Sequence, residues 1–437
     1  MNTTFRGRFG VAIALAATVS VLAACSSGSG GSESGAEAFA APTSEATAGD
    51  SIPEATVKAG FSPYGDELMG VAGIARGYFD QVGITIDPAP NGAQTDLIGS
   101  LTPLINDQIE LGSGYIPAIA SQLDNVDNVV GFGISDVFYG YRLLAPAGKY
   151  TTLSQAMAEG QSYEEAVTTV LDQVKGQDVI LRQGVVPTFY NLITGTAGGA
   201  MTDWNVEYLA NPDIVRAAQV GQADFVSPTG AVEISRLQMD GWEPLIDLQQ
   251  VVDNMPEEET VSLRSTFSGY LTTTDYATEN WDTLLRFTSV MYRLIDDMEA
   301  DPVGVSADFV DYLNSYTGSS LTPEELAATF DGLYSLRDFE AAAALYDDGD
   351  DAFNFQKVAG AQVADLSAQG VIGEGHTADQ LSIAGAIYDA LVEYRAKADA
   401  ALASAPDSEL TQQAQEQYDA RNYLDAYRLA EAANETS

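Results

Sequence analysis

The sequence predicts an α/β protein with two similar lobes around one cleft and a helical tail, and three observations carry that expectation. The stretch "ELGSGYIPAIASQL", residues 110–123, returns as "DFVSPTGAVEISRL", residues 224–237. Both open on an acid (Glu110, Asp224), Ser113 answers Ser227, and Leu123 answers Leu237. An earlier turn, "GFSP", is answered in the same order by "GVVP", matching Gly60 and Pro63 with Gly184 and Pro187. Beyond about Ser262 strand-like runs give way to long helical stripes.

Residues 1–24 read as an export signal, with Arg6 and Arg8 before the apolar run "GVAIALAATVSVLAA" and "LAAC" closing at Cys25. That run is too short to span a bilayer comfortably. Small residues before the chain's one cysteine resemble the bacterial lipoprotein signal, which implies a lipid anchor on Cys25 at the extracytoplasmic face of the cell membrane. Residues 25–51, rich in Ser, Gly, Ala, Thr and Glu, are expected to form a flexible tether.

From residue 52 the pattern is strand, turn, helix, strand, and the same order restarts at "QDVILRQGVVPTFYNLITGTA". Strands alternating with helices of ten to fifteen residues predict parallel sheets. Residues 52–140 with 262–375 are assigned to lobe one, 141–261 to lobe two, and 376–437 to a helical C-terminal extension. Within lobe two the stripe at 156–174 is an insertion expected to pack as core. Trp281, Leu284, Leu285, Thr288, Met291, Tyr292, Ile295 and Met298 mark one helix face, and Thr322 with Glu325 caps the next helix. Leu381, Ile387, Tyr388, Leu391 and Tyr394 mark a later helix, paired as a hairpin with the one after Asp407.

The chain of 437 residues carries 63 acids against 19 bases, a formal charge of −44. Such a surface repels nucleic acid and anionic headgroups and favours a soluble monomer. With His376 and Cys25 the only residues of their kinds, no Ser–His–Asp triad, Cys–His pair or His-ligated metal cluster can be assembled, and no cofactor is expected. "GTAGGA", 195–200, follows a helix and makes no phosphate cradle, and "DDGDD", 347–351, reads as a solvated loop.

In open α/β sheets a ligand lies beyond the carboxyl ends of the strands, against helix starts. There lobe one offers Ser62, Pro63, Tyr64 and Asp66, then Ser113, Gly114 and Tyr115, then Asp136. Lobe two offers Thr188 and Phe189, then Ser227 and Thr229. Hydroxyls and free backbone N–H groups hold polar groups, and rings cover planar or apolar ones.

"KAGFSPYGDELMGVAGIARGYFDQVGITID" resembles the opening of bacterial solute-binding proteins for nitrate, sulfonates and taurine, and of their thiamine-pyrimidine relatives. "AAQVGQADFVSPTGAVEISRLQMDGWEPL" is similar to the family's second-lobe signature, and "NFQKVAGAQVADLSAQGVI" to the end of its core. The resemblance covers about residues 55–370 and implies a type II periplasmic-binding-protein fold whose cargo passes to a membrane ABC permease. The cleft loops are short of arginine, with Arg142 and Arg182 nearest, so a heteroaromatic solute such as a pyrimidine stands beside a sulfonate or taurine-like one. Two other readings stay open: an exported carboxylate-dependent hydrolase, and a cell-surface interaction protein that keeps the fold.

Overall fold

The computed structural model describes residues 39–42, 46–95, 100–182 and 188–436. The export signal, Cys25, most of the tether, and Gly184 and Pro187 of the second matched turn lie outside the described residues.

Among those residues β1 (Ala55–Phe61), β2 (Ile84–Asp87), β3 (Ala93–Gln94), β4 (Leu111–Tyr115) and β5 (Val129–Phe138) come first. β6 (Arg142–Pro146), β7 (Asp178–Arg182), β8 (Asn205–Leu209), β9 (Phe225–Ser227) and β10 (Trp242–Asp247) follow, then β11 (Phe267–Thr273) and β12 (Tyr334–Leu336). One sheet runs β12-β5-β11-β4-β1-β2, with β3 also on β1, and the other runs β10-β6-β9-β7-β8.

The sequence repeat is visible in this order. β1 pairs in parallel with β2 and β4, and β7 pairs in parallel with β8 and β9. Beside each trio stands an antiparallel strand, β11 next to β4 and β6 next to β9. The sheets are therefore mixed, which corrects the expectation of parallel ones. The reason is topological: β6 and β11 are each preceded by a strand of the other sheet, so neither is joined to a neighbour in its own sheet by a βαβ crossover. The chain passes between the sheets at residues 139–141 and returns over 248–266, through helices Leu248–Asn254 and Glu257–Thr260, entering β11 at 265–266.

Helix starts follow local chemistry. Thr152 with Gln155, Ser162 with Glu165, and Thr322 with Glu325 each form reciprocal capping boxes. The stripe at 156–174 is core, since Ala156, Val167, Val170 and Val174 pack with Leu181 and Phe225. Helix Trp281–Ala300 buries all eight residues of its expected face. Each large apolar side chain so buried contributes about 1.5–3 kcal/mol.

The C-terminal region holds three helices, Ala384–Ser404, Glu409–Asp419 and Tyr423–Glu435, where a two-helix hairpin was expected. The third supplies Asp425, whose carboxylate accepts from Arg286 Nε at 2.6 Å and Nη2 at 3.1 Å. Both side chains are almost wholly buried, at 3% and 1% exposure. Asn422 Nδ2 and Arg428 Nη1 complete the carboxylate's shell, each at 2.8 Å. Ile387, Tyr388, Tyr423 and Leu424 share one apolar cluster with Val290 and Leu294, so the extension is fused to lobe one.

Residues 39–42 and 46–51, expected within the tether, lie against these helices. The Ala46 N–H donates to Tyr394 Oη at 3.2 Å, and the Gly49 N–H donates to the Arg428 carbonyl at 3.1 Å. Phe39, Ala41 and Ala46 pack on the apolar cluster. Small-residue composition hides such docking because the partners are 350 or so residues away in sequence, as |i−j| = 348 for the Ala46–Tyr394 bond shows.

Asp425→Ala strands a buried guanidinium and is expected to cost about 3–5 kcal/mol, read as a lower denaturant midpoint. Arg286→Met with Asp425→Leu is expected to recover most of that loss. A single variant as stable as the parent would show that the ion pair does not hold the extension.

Candidate ligand-binding site

A pocket of about 530 Å³, counting its open mouth, lies between the lobes beside both chain crossings. Lobe one contributes Tyr115 at the end of β4 and Gln362, Asp365 and Leu366 from helix Phe355–Ala368. Lobe two contributes Thr188 and Phe189, which begin helix Thr188–Thr196, with Leu248 and Leu263. Tyr141 and the pair Ser265–Thr266 line it from the crossings themselves.

A chain of hydrogen bonds runs through this wall. Tyr141 Oη donates to Tyr115 Oη at 3.3 Å, and Tyr115 Oη donates to the Ser265 carbonyl at 2.8 Å. Ser265 Oγ donates to Gln362 Oε1 at 2.7 Å, and Gln362 Nε2 donates to the Pro117 carbonyl at 3.3 Å. Burial pushes both tyrosine hydroxyls up from their ordinary value, so they stay neutral donors. Phe189 is 3% exposed. It packs edge-on to Tyr190 at 5.2 Å within the lobe-two core and meets the pocket at its margin.

Tyr115, Thr188 and Phe189 are thus brought together. The matched serines are not part of the lining. Ser113 Oγ accepts from the Ser62 N–H at 2.8 Å, and Ser62 Oγ donates to the Ser113 carbonyl at 3.3 Å. Ser227 Oγ donates to the Arg142 carbonyl at 2.6 Å and pairs with the Tyr190 hydroxyl. Ser62, Ser113 and Ser227 are fully buried. A short hydroxyl at a strand end reaches neighbouring backbone, and these three lie outside the lining of this pocket. Gly114 faces Gly269 within the sheet, and the Thr229 N–H donates to Asn211 Oδ1 at 3.1 Å. Pro63 is half-buried beside Tyr64.

Tyr64 belongs to a second contact between the lobes. Its hydroxyl bonds Arg182 at the end of β7, close to Glu233, while burial pushes its pKa up. Next to it Ala231, Val232 and Ile234 of the lobe-two helix Ala231–Met239 pack into the apolar cluster of lobe one.

Asp66 and Asp136 are both buried, and neither lines the pocket. Ser135 Oγ donates to Asp136 at 2.8 Å, while Ser268 and Tyr334 bond Asp66. Asp66 Oδ1 and Asp136 Oδ1 have no donor from another group. Burial raises both carboxyls, and Asp66's charge raises Asp136 further against the lowering by Ser135 and Arg337. Sharing one proton between the two carboxyls would remove the repulsion that Asp66's charge exerts on Asp136.

Tyr141, Ser265, Gln362 and Asp365 are absent from the sequence-based set. Gln362, Asp365, Leu366 and Gln369 follow the i, i+3, i+4, i+7 spacing of one helix face, and that spacing is the signal that points to them. Among the described residues no group of three or more His, Cys, Asp or Glu side chains is placed to hold a metal ion, and no helix is long and apolar enough to cross a membrane.

No protein-family model matches this chain, and no curated protein matches it either. Solved structures do match. The periplasmic aliphatic sulphonate-binding protein of Escherichia coli aligns with 75% of this chain and 91% of its own, at TM-score 0.50 and 16% identity. A ligand-binding component of an ABC-type import system from Staphylococcus aureus, solved with zinc bound, aligns with 77% of this chain and 98% of its own, at TM-score 0.50 and 9% identity. At these identities the likeness is one of fold. The chain has the two-lobed, type II periplasmic-binding-protein fold, with a helical C-terminal extension.

A carboxyl raised by folding binds its proton more tightly in the native state. Its stabilisation is complete below the unfolded value, near 3.8, and is lost as pH rises through the folded one. Asp136→Asn removes that titration, so the variant is expected to melt above the parent at pH 8, with the gap shrinking towards pH 4. A gap that does not change with pH would contradict the shared-proton account.

Proposed function

We propose that this protein is the extracytoplasmic solute-binding component of an ABC importer, capturing a small organic solute between its lobes and handing it to a membrane permease. The observation that carries this reading is the pocket at the two crossings, which takes its walls from both lobes. A solute touching Tyr115 and Gln362 on one side and Thr188 and Phe189 on the other gains affinity only when the lobes approach, so binding selects the closed arrangement. The crossings at 139–141 and 265–266 are where the chain bends. The binding proteins of like fold support the role, and the sequence resemblance around Ser62–Tyr64 and residues 224–237 supports it independently. In this reading the protein works as a monomer held through a lipid on Cys25, and it carries out no chemistry on its cargo. The Asp66–Asp136 pair is buried and offers no accessible acid or base of its own.

The test is a thermal-shift and calorimetric panel of sulfonates, pyrimidines, amines and neutral small solutes. A true ligand at a hundred times its Kd is expected to stabilise the fold by about 2.7 kcal/mol and to be recovered unchanged. Turnover would favour a hydrolase, and silence across the panel would favour an interaction protein. On the same reading Cys25→Ser moves the protein from the membrane fraction to the soluble extracytoplasmic one.

A further inference from the structure

We infer that the pocket is built for a protonated amine carrying an aromatic or similarly flat apolar group, and not for an anion. This rests on the solute-binding reading and specifies the class of its cargo.

The first argument is charge. Among the described lining residues none is basic, and the one charged side chain is Asp365, exposed at the mouth. The neighbouring sequence 183–187, "QGVVP", contains no basic residue. The arginines and lysine around the cleft are turned to partners. Arg142 Nε and Nη2 donate to the Gly140 and Tyr139 carbonyls at 3.1 and 3.3 Å. Arg182 bonds Tyr64. Arg264 donates to the Ala352 carbonyl at 3.3 Å and pairs with Glu257, as does Lys357. An anion entering here would meet no cationic side chain among the described lining residues. The chain's charge of −44 adds a field that draws cations towards the mouth.

The second argument is the direction of the hydrogen bonds. Tyr141, Tyr115, Ser265 and Gln362 each spend a donor within the wall. What their chain leaves open is mostly lone pairs, with the Asp365 carboxylate beyond them. That hydrogen-bonded row is short of free protons and rich in acceptors, which suits a ligand that brings N–H groups, while Thr188, Ser262, Thr266 and Gln369 add hydroxyl and amide groups able to accept or donate. Tyr115, Tyr141 and Phe189 supply ring surface for a flat group and for cation–π contact with the ammonium, while Leu248 and Leu263 supply apolar wall.

The experiment is calorimetric titration of the full chain with three probes of similar size: phenethylamine, benzyl alcohol and benzenesulfonate. Phenethylamine is expected to bind and raise the melting temperature, and benzenesulfonate to do neither. Asp365→Asn is expected to weaken phenethylamine about three- to fivefold, the upper part of the range for one exposed charge pair, and Asp365→Glu to restore it. The position is exposed, so both variants should fold, which their melting temperatures check. Benzenesulfonate binding as well as the amine would overturn the inference while leaving solute capture intact. So would an amine affinity unmoved by Asp365→Asn, or a solute from the wider panel binding where phenethylamine does not. Failure of the three probes and the whole panel together would overturn both the inference and the binding role.

Discussion

The polypeptide leaves the first sheet through Tyr139–Tyr141 and re-enters it through Ser265–Thr266, and the hydrogen-bond chain Tyr141–Tyr115–Ser265–Gln362 spans the ground between. Both lobes depend on this junction. Lobe one is assembled from segments on either side of lobe two, so β11 must return beside β4 for the sheet to close. Irregular backbone at a partly buried crossing needs partners for its carbonyls, and the Tyr115 hydroxyl supplies one to Ser265 while the Arg142 guanidinium supplies those of Tyr139 and Gly140. Gln362 also reaches the Pro117 carbonyl, which fixes helix Phe355–Ala368 as the pocket's far wall.

The lobes meet a second time where helix Ala231–Met239 buries Ala231, Val232 and Ile234 in the lobe-one cluster and Tyr64 bonds Arg182. That contact is apolar at its centre, whereas the junction at the crossings is polar and lined with rings. The difference divides the labour. One side supplies an apolar contact between lobes, and the other leaves a pocket whose polar groups are already arranged. The Asp66–Asp136 pair stands behind both, inside lobe one, where burial raises both carboxyls and the hydroxyls of Ser135, Ser268 and Tyr334 bond them.

Much of the architecture was legible in the sequence because it rests on local or periodic signals. The repeat of 110–123 in 224–237 corresponds to β4 and β9 in equivalent places of two sheets. The stripe of helix Trp281–Ala300 and the Thr322–Glu325 capping box appear as read. The site was less legible. Ser113 and Ser227 were matched by the repeat, yet repetition marks a shared structural need as readily as a shared ligand, and here both hydroxyls hold strand ends. Tyr141 and Gln362 lie about 220 residues apart by number and meet only through the return of the chain, which no local pattern reports. The docking of residues 46–49 on Tyr394 and Arg428 escaped for the same reason.

The central claim is that one solute is held by both lobes at the crossings. Hydrogen exchange followed by mass spectrometry, with and without the tightest-binding solute of the panel, tests it most directly. The account predicts new protection in peptides covering 111–115, 139–142, 188–196 and 355–368, drawn from both lobes together. Protection confined to one lobe, or centred on the C-terminal helices at 384–435, would contradict it.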